Sequence, residues 1–179
     1  VKKQQEEADE LMNQPVQKKD TSRMKIRHEG GIVIQGADNL LVRISRCCNP
    51  VPGDPIVGYI TKGRGISIHR KDCPNMNNTP DVAQRQIDVE WEEAATGGNQ
   101  EYNADLESYG YNRSGLLNDV LLVVNANTKR LIGVEARPTK NKMASIHLTI
   151  AIQNLSHLEQ LVDKIRAVPE VYSVRRTNG

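Results

Sequence analysis

The 179-residue sequence predicts an α+β chain in two parts, a small β-rich module followed by a βαββαβ unit. Three observations predict it. Short β-prone runs up to about residue 95 are punctuated by Gly, Pro, Asn and Asp. The chain's three cysteines, Cys47, Cys48 and Cys73, gather with His69 in that same stretch. Beyond residue 100 the apolar spacing changes between the strand period and the helix period in the order strand, helix, strand, strand, helix, strand. The run Thr96-Gly97-Gly98-Asn99-Gln100 reads as a linker. The expected organisation is therefore the end of a preceding helix and a linker over residues 1–23, a first domain over 24–95, a linker over 96–100, and a second domain over 101–179. A charged stretch that looks like the end of a helix (4–14) suggests a C-terminal fragment of something longer.

In the first domain, Gly30-Gly31, Gly36, Asp38-Asn39, Pro52-Gly53-Asp54, Gly63 and Gly65 separate β-prone runs at 32–34, 40–45, 56–60 and 65–68. The spacing predicts a meander of hairpins. Asp72-Cys73-Pro74-Asn75 can start a short helix, with Asp72 or Cys73 near the cap and Pro74 in its first turn. A last strand over 86–91 places Ile87, Val89 and Trp91 on one side.

Cys47, Cys48, His69 and Cys73 supply the sulfur and nitrogen ligands of a tetrahedral zinc ion, and four protein ligands leave no open position for water. Such a closed site would make this a zinc-finger-like domain, stabilised by its metal and not catalytic. A domain of this size has a marginal hydrophobic core, so a metal is physically useful. The adjacent cysteines fit less simply, because neighbouring strand residues point to opposite faces. A turn at Asn49-Pro50 could bring both thiolates to one ion. Two other readings of these residues remain. They could be small apolar core residues with a hydrogen-bonded His69, or one cysteine could be a nucleophile, although no base, orienter and oxyanion hole accompany it.

In the second domain a strand at 102–109 precedes a helix from Ser114 to about Asn127, strands at 131–138 and 142–153, a helix at 156–168 and a strand at 171–176. Leu155, Leu158, Leu161, Val162 and Ile165 form a helical stripe, and Ser156 with Glu159 makes a capping box. Ala144, Ile146, Leu148, Ile150 and Ile152 alternate with mostly polar residues, so one sheet face packs on the helices and the other stays polar. This order is the ferredoxin-like plait, which hosts RNA-recognition motifs and small-molecule modules alike. The aromatic signature of an RNA-recognition third strand is missing, which favours a small-molecule module. Its candidate ligand loop is Gly110-Tyr111-Asn112-Arg113-Ser114-Gly115, where free amides at a helix N-terminus could hold an amino acid's carboxylate. Asn112 or Ser114 could equally be a simple helix cap. His147 and His157 read as ordinary strand-face and helix-surface residues rather than ligands.

Composition sets the remaining bounds. With no Phe, one Trp and five Tyr, the cores must rest on Ile, Val and Leu. A net charge of +2 argues against a globally basic nucleic-acid binder. Lys62, Arg64, Arg70 and Lys71 nevertheless crowd the cysteine stretch, and Lys18, Lys19, Arg23, Lys25 and Arg27 precede it. They are candidate RNA contacts or an ordinary solvated surface. Three cysteines, two of them adjacent, make a poor disulfide framework and suit a reducing cytosol. No apolar run is long enough to span a bilayer and no signal-peptide pattern is present, so a cytoplasmic protein without a membrane partner is expected.

The runs Arg46-Cys47-Cys48-Asn49-Pro50-Val51-Pro52-Gly53-Asp54, Val57-Gly58-Tyr59-Ile60-Thr61-Lys62-Gly63-Arg64-Gly65 and His69-Arg70-Lys71-Asp72-Cys73-Pro74-Asn75 resemble the conserved-cysteine (zinc-finger) domain of the Rel (RelA/SpoT) family, bacterial enzymes that make and hydrolyse (p)ppGpp. The second domain resembles the family's ACT domain, with Asn112-Arg113-Ser114-Gly115-Leu116-Leu117 where an Asp-Arg-x-Gly-Leu-Leu run is usual, and with Val171-Tyr172-Ser173-Val174-Arg175-Arg176 close to the family's ending. The resemblance implies a non-catalytic regulatory region whose parent is a GTP diphosphokinase with upstream catalytic domains. It implies docking on the ribosome, touching ribosomal RNA beside an uncharged A-site tRNA, with Lys62, Arg64, Arg70 and Lys71 as phosphate contacts. The alternative is an ACT module that senses an amino acid of the branched-chain type and pairs edge to edge with a second copy; Asn112 departs from the usual Asp at that site.

Overall fold

The structure is a computed structural model that describes residues 25–28, 30–35, 41–63, 65–76, 81–93, 95 and 100–177. The expected N-terminal helix end, the linker residues 96–99 and Arg64 lie outside the described residues, as do the side chains of Lys25 and Arg27.

The first unit is built from two small sheets. Strands β1 (Lys25–His28), β2 (Ile32–Gln35) and β7 (Val89–Trp91) form an antiparallel sheet in the order β1-β2-β7. Strands β3 (Val42–Ile44), β4 (Ile56–Thr61), β5 (Gly65–Arg70) and β6 (Gln86–Ile87) form the other, ordered β3-β5-β4-β6. The expected meander is corrected here: β3 and β5 run parallel, Ile44 opposite Ile68, with the β4 strand inserted between them in sequence. The single strand expected over 86–91 is broken at Asp88, so Gln86 and Ile87 join β4 while Val89 to Trp91 join β2. That break lets one segment stitch both sheets around a core of Ile32, Ile34, Ile56, Ile66, Ile68 and Val89. After β5, Pro74–Met76 forms one turn of 3-10 helix, and α1 (Val82–Arg85) precedes β6.

The second unit has the expected βαββαβ order: β8 (Tyr102–Tyr111), α2 (Leu116–Asn127), β9 (Leu131–Thr139), β10 (Met143–Ile152), α3 (Leu155–Arg166) and β11 (Val171–Arg176). Its antiparallel sheet is ordered β11-β8-β10-β9. Alternate residues of β10, Ala144, Ile146, Leu148 and Ile150, are buried with Val120, Val124, Leu158, Leu161 and Ile165 of the helices. Both helix starts differ from expectation. The first helix begins at Leu116, capped by Gly115 at φ 80° with no side-chain cap bond, so neither Asn112 nor Ser114 caps it. The second is capped by Asn154, whose Oδ1 accepts the His157 N–H at 2.8 Å, in place of the Ser156/Glu159 box. His157 is not an ordinary surface residue. Its Nδ1 accepts the Gln153 N–H at 3.1 Å, so its Nε2–H donates to Asn127 O at 2.7 Å and ties α3 to the end of α2.

The loop after the cysteines joins the two units. Val51 is fully buried within the second unit's core, and the Leu155 N–H donates to Pro52 O at 2.8 Å. Asp54 meets Arg176, 122 residues away, through two 2.8 Å bonds. Trp91 and Tyr102 pack edge to face at 5.6 Å, and the Tyr102 hydroxyl donates to Gly30 O at 2.7 Å. Gly53 makes the close approach possible: its φ is +107°, and an added Cβ would lie 2.9 Å from Leu155 Cβ. Gly63 shares a positive φ of +72° but faces open space. Gly53→Ala should therefore lower stability by about 1–3 kcal/mol and more than Gly63→Ala. Equal melting shifts for the two would show that the contact with Leu155 is not tight.

Candidate metal centre

Parallel pairing of β3 with β5 brings the ends of both strands to one edge of the sheet. The turn after β3 carries Cys47 and Cys48, β5 carries His69, and Cys73 follows it at the start of the 3-10 turn. The adjacent cysteines do not lie on a strand. They sit in a turn closed by the Asn49 N–H donating to Ser45 O at 3.0 Å, with Asn49 at φ 43°. That turn removes the difficulty of opposite-facing neighbours and directs both sulfurs inward.

The four ligand atoms lie within 4.8 Å of one another. Cys47 Sγ is 3.9 Å from Cys48 Sγ, 3.6 Å from Cys73 Sγ and 3.3 Å from His69 Nδ1, and Cys48 Sγ is 3.8 Å from that nitrogen. A tetrahedral zinc ion with ordinary bond lengths would hold sulfurs about 3.8 Å apart and sulfur and nitrogen about 3.6 Å apart. The cluster geometry thus fits a structural zinc site with Cys47, Cys48, His69 and Cys73 in reach of one ion. Cys48 and Cys73 are fully buried; Cys47 and His69 are partly so and line a cleft of about 490 Å³.

The surroundings prepare these atoms as ligands. His69 Nε2 faces the Ser45 and Ser67 hydroxyls at 2.9 and 3.1 Å, which orients the ring with Nδ1 toward the sulfurs. Burial lowers the His69 pKa, keeping the imidazole neutral. The Arg70 N–H donates to Cys48 Sγ at 3.4 Å. Burial still dominates at Cys48, pushing its thiol up to about 12 in the absence of an ion, with Cys47 and Cys73 adding to the rise. Zinc must displace that proton, so binding is expected to release protons and to weaken on acidification. Residues Ser45, Ser67 and Asp54 gave no signal in the sequence beyond their place beside the motif.

The basic residues are not gathered on one patch. Lys62 is exposed at the tip of the β4–β5 hairpin, whereas Arg70 and Lys71 are at its other end, about 17 Å away by strand rise. Lys71 is exposed, while the Arg70 side chain is only 12% exposed, with Nε 3.5 Å from Asp72 Oδ1. In the second unit's loop, Gly110 lies under the Glu170 carbonyl, and Ser114 and Gly115 are exposed. Arg113 turns away to Asp119 Oδ2 at 2.8 Å and Pro169 O at 3.0 Å. Of the loop residues, Asn112 lines a cleft of about 220 Å³ with Leu116, Leu117, Arg137, Pro138 and Ile146.

Metal analysis of the purified chain should find about one zinc per chain, and Cys73→Ala should lose it together with thermal stability of the first unit. Calorimetric titration of the metal-free chain in two buffers of different ionisation enthalpy should detect the released protons. A Cys73→Ala chain with full zinc and native melting would remove Cys73 from the ligand set.

A family model described as the RelA/SpoT RIS domain matches residues 32–92, and one described as the ACT domain matches residues 98–176. A GTP pyrophosphokinase of Escherichia coli (strain K12) is 38% identical over 170 residues, covering 94% of this chain and 22% of that protein. One from Streptomyces coelicolor is 31% identical over 149 residues, covering 83% and 17%. The bifunctional (p)ppGpp synthase/hydrolase SpoT of Escherichia coli is 27% identical over 150 residues, covering 84% and 21%. The chain thus spans about a fifth of the length of these relatives. The crystal structure of the ACT domain from a Chlorobium tepidum GTP pyrophosphokinase aligns with a TM-score of 0.38 at 23% identity, over 43% of this chain and 99% of that one. Both domain models, in succession around the cysteine cluster, place the chain in the RelA/SpoT family as a RIS domain followed by an ACT domain.

Proposed function

We propose that the chain is the regulatory region of a stringent-response (p)ppGpp synthetase/hydrolase, and that it docks the parent enzyme on the ribosome beside A-site tRNA to control its catalytic domains. The observation that carries this reading is the RIS–ACT succession, held as one packed body by the Asn49–Asp54 loop. A closed zinc site suits a docking role, because four protein ligands leave the ion no position at which to activate water. In this role the RIS domain acts as a zinc finger, its turn and hairpin pinned together by the ion. Lys71 and Lys62, exposed at the two ends of one hairpin, would reach separate phosphates of a large RNA surface. Arg64 is a third candidate, and Arg70 acts more through the metal cluster than as a surface charge. This assignment puts the parent in the cytoplasm; no helix among the described residues is long and apolar enough to cross a membrane.

A second reading rests on the ACT cleft. Its 220 Å³ lies between the start of α2 and the edge strand β9, with apolar walls and Arg137 and Asn112 at the rim. That combination suits a small apolar amino acid such as valine or isoleucine. The free β9 edge exposes Ile132 and Val134 at 44% each, which suits pairing with a second copy.

Cosedimentation with ribosomes carrying deacylated A-site tRNA separates the readings. Saturable retention that falls as salt is raised, and weakens several-fold in a Lys62→Glu/Lys71→Glu chain with native melting, is the expected result. Absence of retention at any salt, together with a saturable rise in melting temperature with valine or isoleucine, would replace docking by amino-acid sensing.

A further inference from the structure

We propose that Arg176 and Asp105, both in the ACT sheet, are positioning residues of the metal centre: they hold the turn that presents Cys47 and Cys48 to the ion. The inference rests on the zinc reading of the cluster. Asn49 follows Cys48 directly, and both its carbonyl and its side chain are gripped from the other domain. Arg176 Nη2 donates to Asn49 O at 2.7 Å, and Asn49 Nδ2 donates to Asp105 Oδ2 at 2.7 Å. Each grip is itself fixed. Arg176 makes parallel 2.8 Å bonds to the two carboxylate oxygens of Asp54, whose Oδ2 also accepts the Val51 N–H at 2.8 Å. Asp105, 5% exposed, accepts the Thr149 hydroxyl at 2.7 Å through its other oxygen.

The ligand set is therefore divided. His69 rides on β5 and Cys73 on the turn after it, both held by the RIS sheet. Cys47 and Cys48 sit on a turn whose far end is anchored to β8 and β11 of the ACT domain. An ion bound by all four ligands closes the seam between the domains. Coupling of this kind runs both ways: the ACT grip sets the ion's retention, and the ion stabilises the seam.

The test uses the zinc-loaded 179-residue chain and follows zinc transfer to an excess of a chromophoric chelator. Arg176→Gln combined with Asp54→Asn removes the charged grip without leaving a buried charge unpaired. It should speed zinc release about tenfold, the lower end of the loss in metal affinity that follows removal of groups supporting metal ligands. Arg176→Lys restores charge to Asp54 without the fork and should release zinc at an intermediate rate. Amide exchange across β8 and β10 should stay native, which separates positioning from loss of the ACT fold. If the double variant loses that fold, Asn49→Gly carries the same expectation, since glycine accepts the positive φ and only the tether to Asp105 is lost. In the converse direction, removing zinc from the native chain should speed exchange at the Leu155 N–H, which bonds to Pro52 O across the seam. A native chain that holds zinc, with variants that release it at the native rate, overturns this inference alone. A native chain that takes up no zinc overturns the zinc reading and this inference with it.

Discussion

The structure depends on one buried carboxylate. Asp54 receives both terminal nitrogens of Arg176 and the Val51 N–H, while its own carbonyl accepts the Trp91 indole N–H at 3.0 Å. Its side chain is 6% exposed and that of Arg176 14%. Two charges withdrawn from water at such a seam gain little net stability as a pair, but loss of one partner costs about 3–5 kcal/mol. The bond therefore sets geometry more than it adds net stability. It holds the cysteine loop against the ACT sheet, with Val51 in the ACT core and Asn49 beside the cysteines.

A metal site built on such a loop has consequences for how the two domains act together. Cys47 and Cys48 sit on a turn that leaves the RIS strand β3 and is tethered at Asn49 to the ACT sheet, whereas His69 and Cys73 are placed by the RIS hairpin alone. With the ion in place, neither domain can rotate against the other without straining the ligand set. Any surface that spans both domains gains from this, because domains already fixed against each other lose less conformational entropy on binding.

Much of the fold was legible because it is written in local pattern. The alternation along β10 and the stripe from Leu155 to Ile165 gave the βαββαβ unit directly, and the ligand types of Cys47, Cys48, His69 and Cys73 pointed to the metal cluster. The illegible parts were those set by partners distant in sequence. Asp54 looked like a turn residue of Pro-Gly-Asp and Arg176 like a charge near the chain's end, and nothing local pairs residues 122 apart. The parallel β3–β5 contact, which brings the cysteine turn to His69, could not be inferred from strands too short to show it. The helix caps failed differently: Ser156 and Glu159 form a good box, but Asn154 comes first in the chain and its geometry, completed by His157, wins. The spread of the basic residues was equally hidden, because residues close in sequence can lie at opposite ends of a hairpin.

X-ray absorption at the zinc edge of the purified chain reports the ligand atoms around the ion without reference to any activity. The expected result is a closed coordination sphere of three sulfurs at about 2.3 Å and one imidazole nitrogen at about 2.0 Å. A shell containing oxygen in place of one of these atoms, or a chain carrying no zinc, would contradict it.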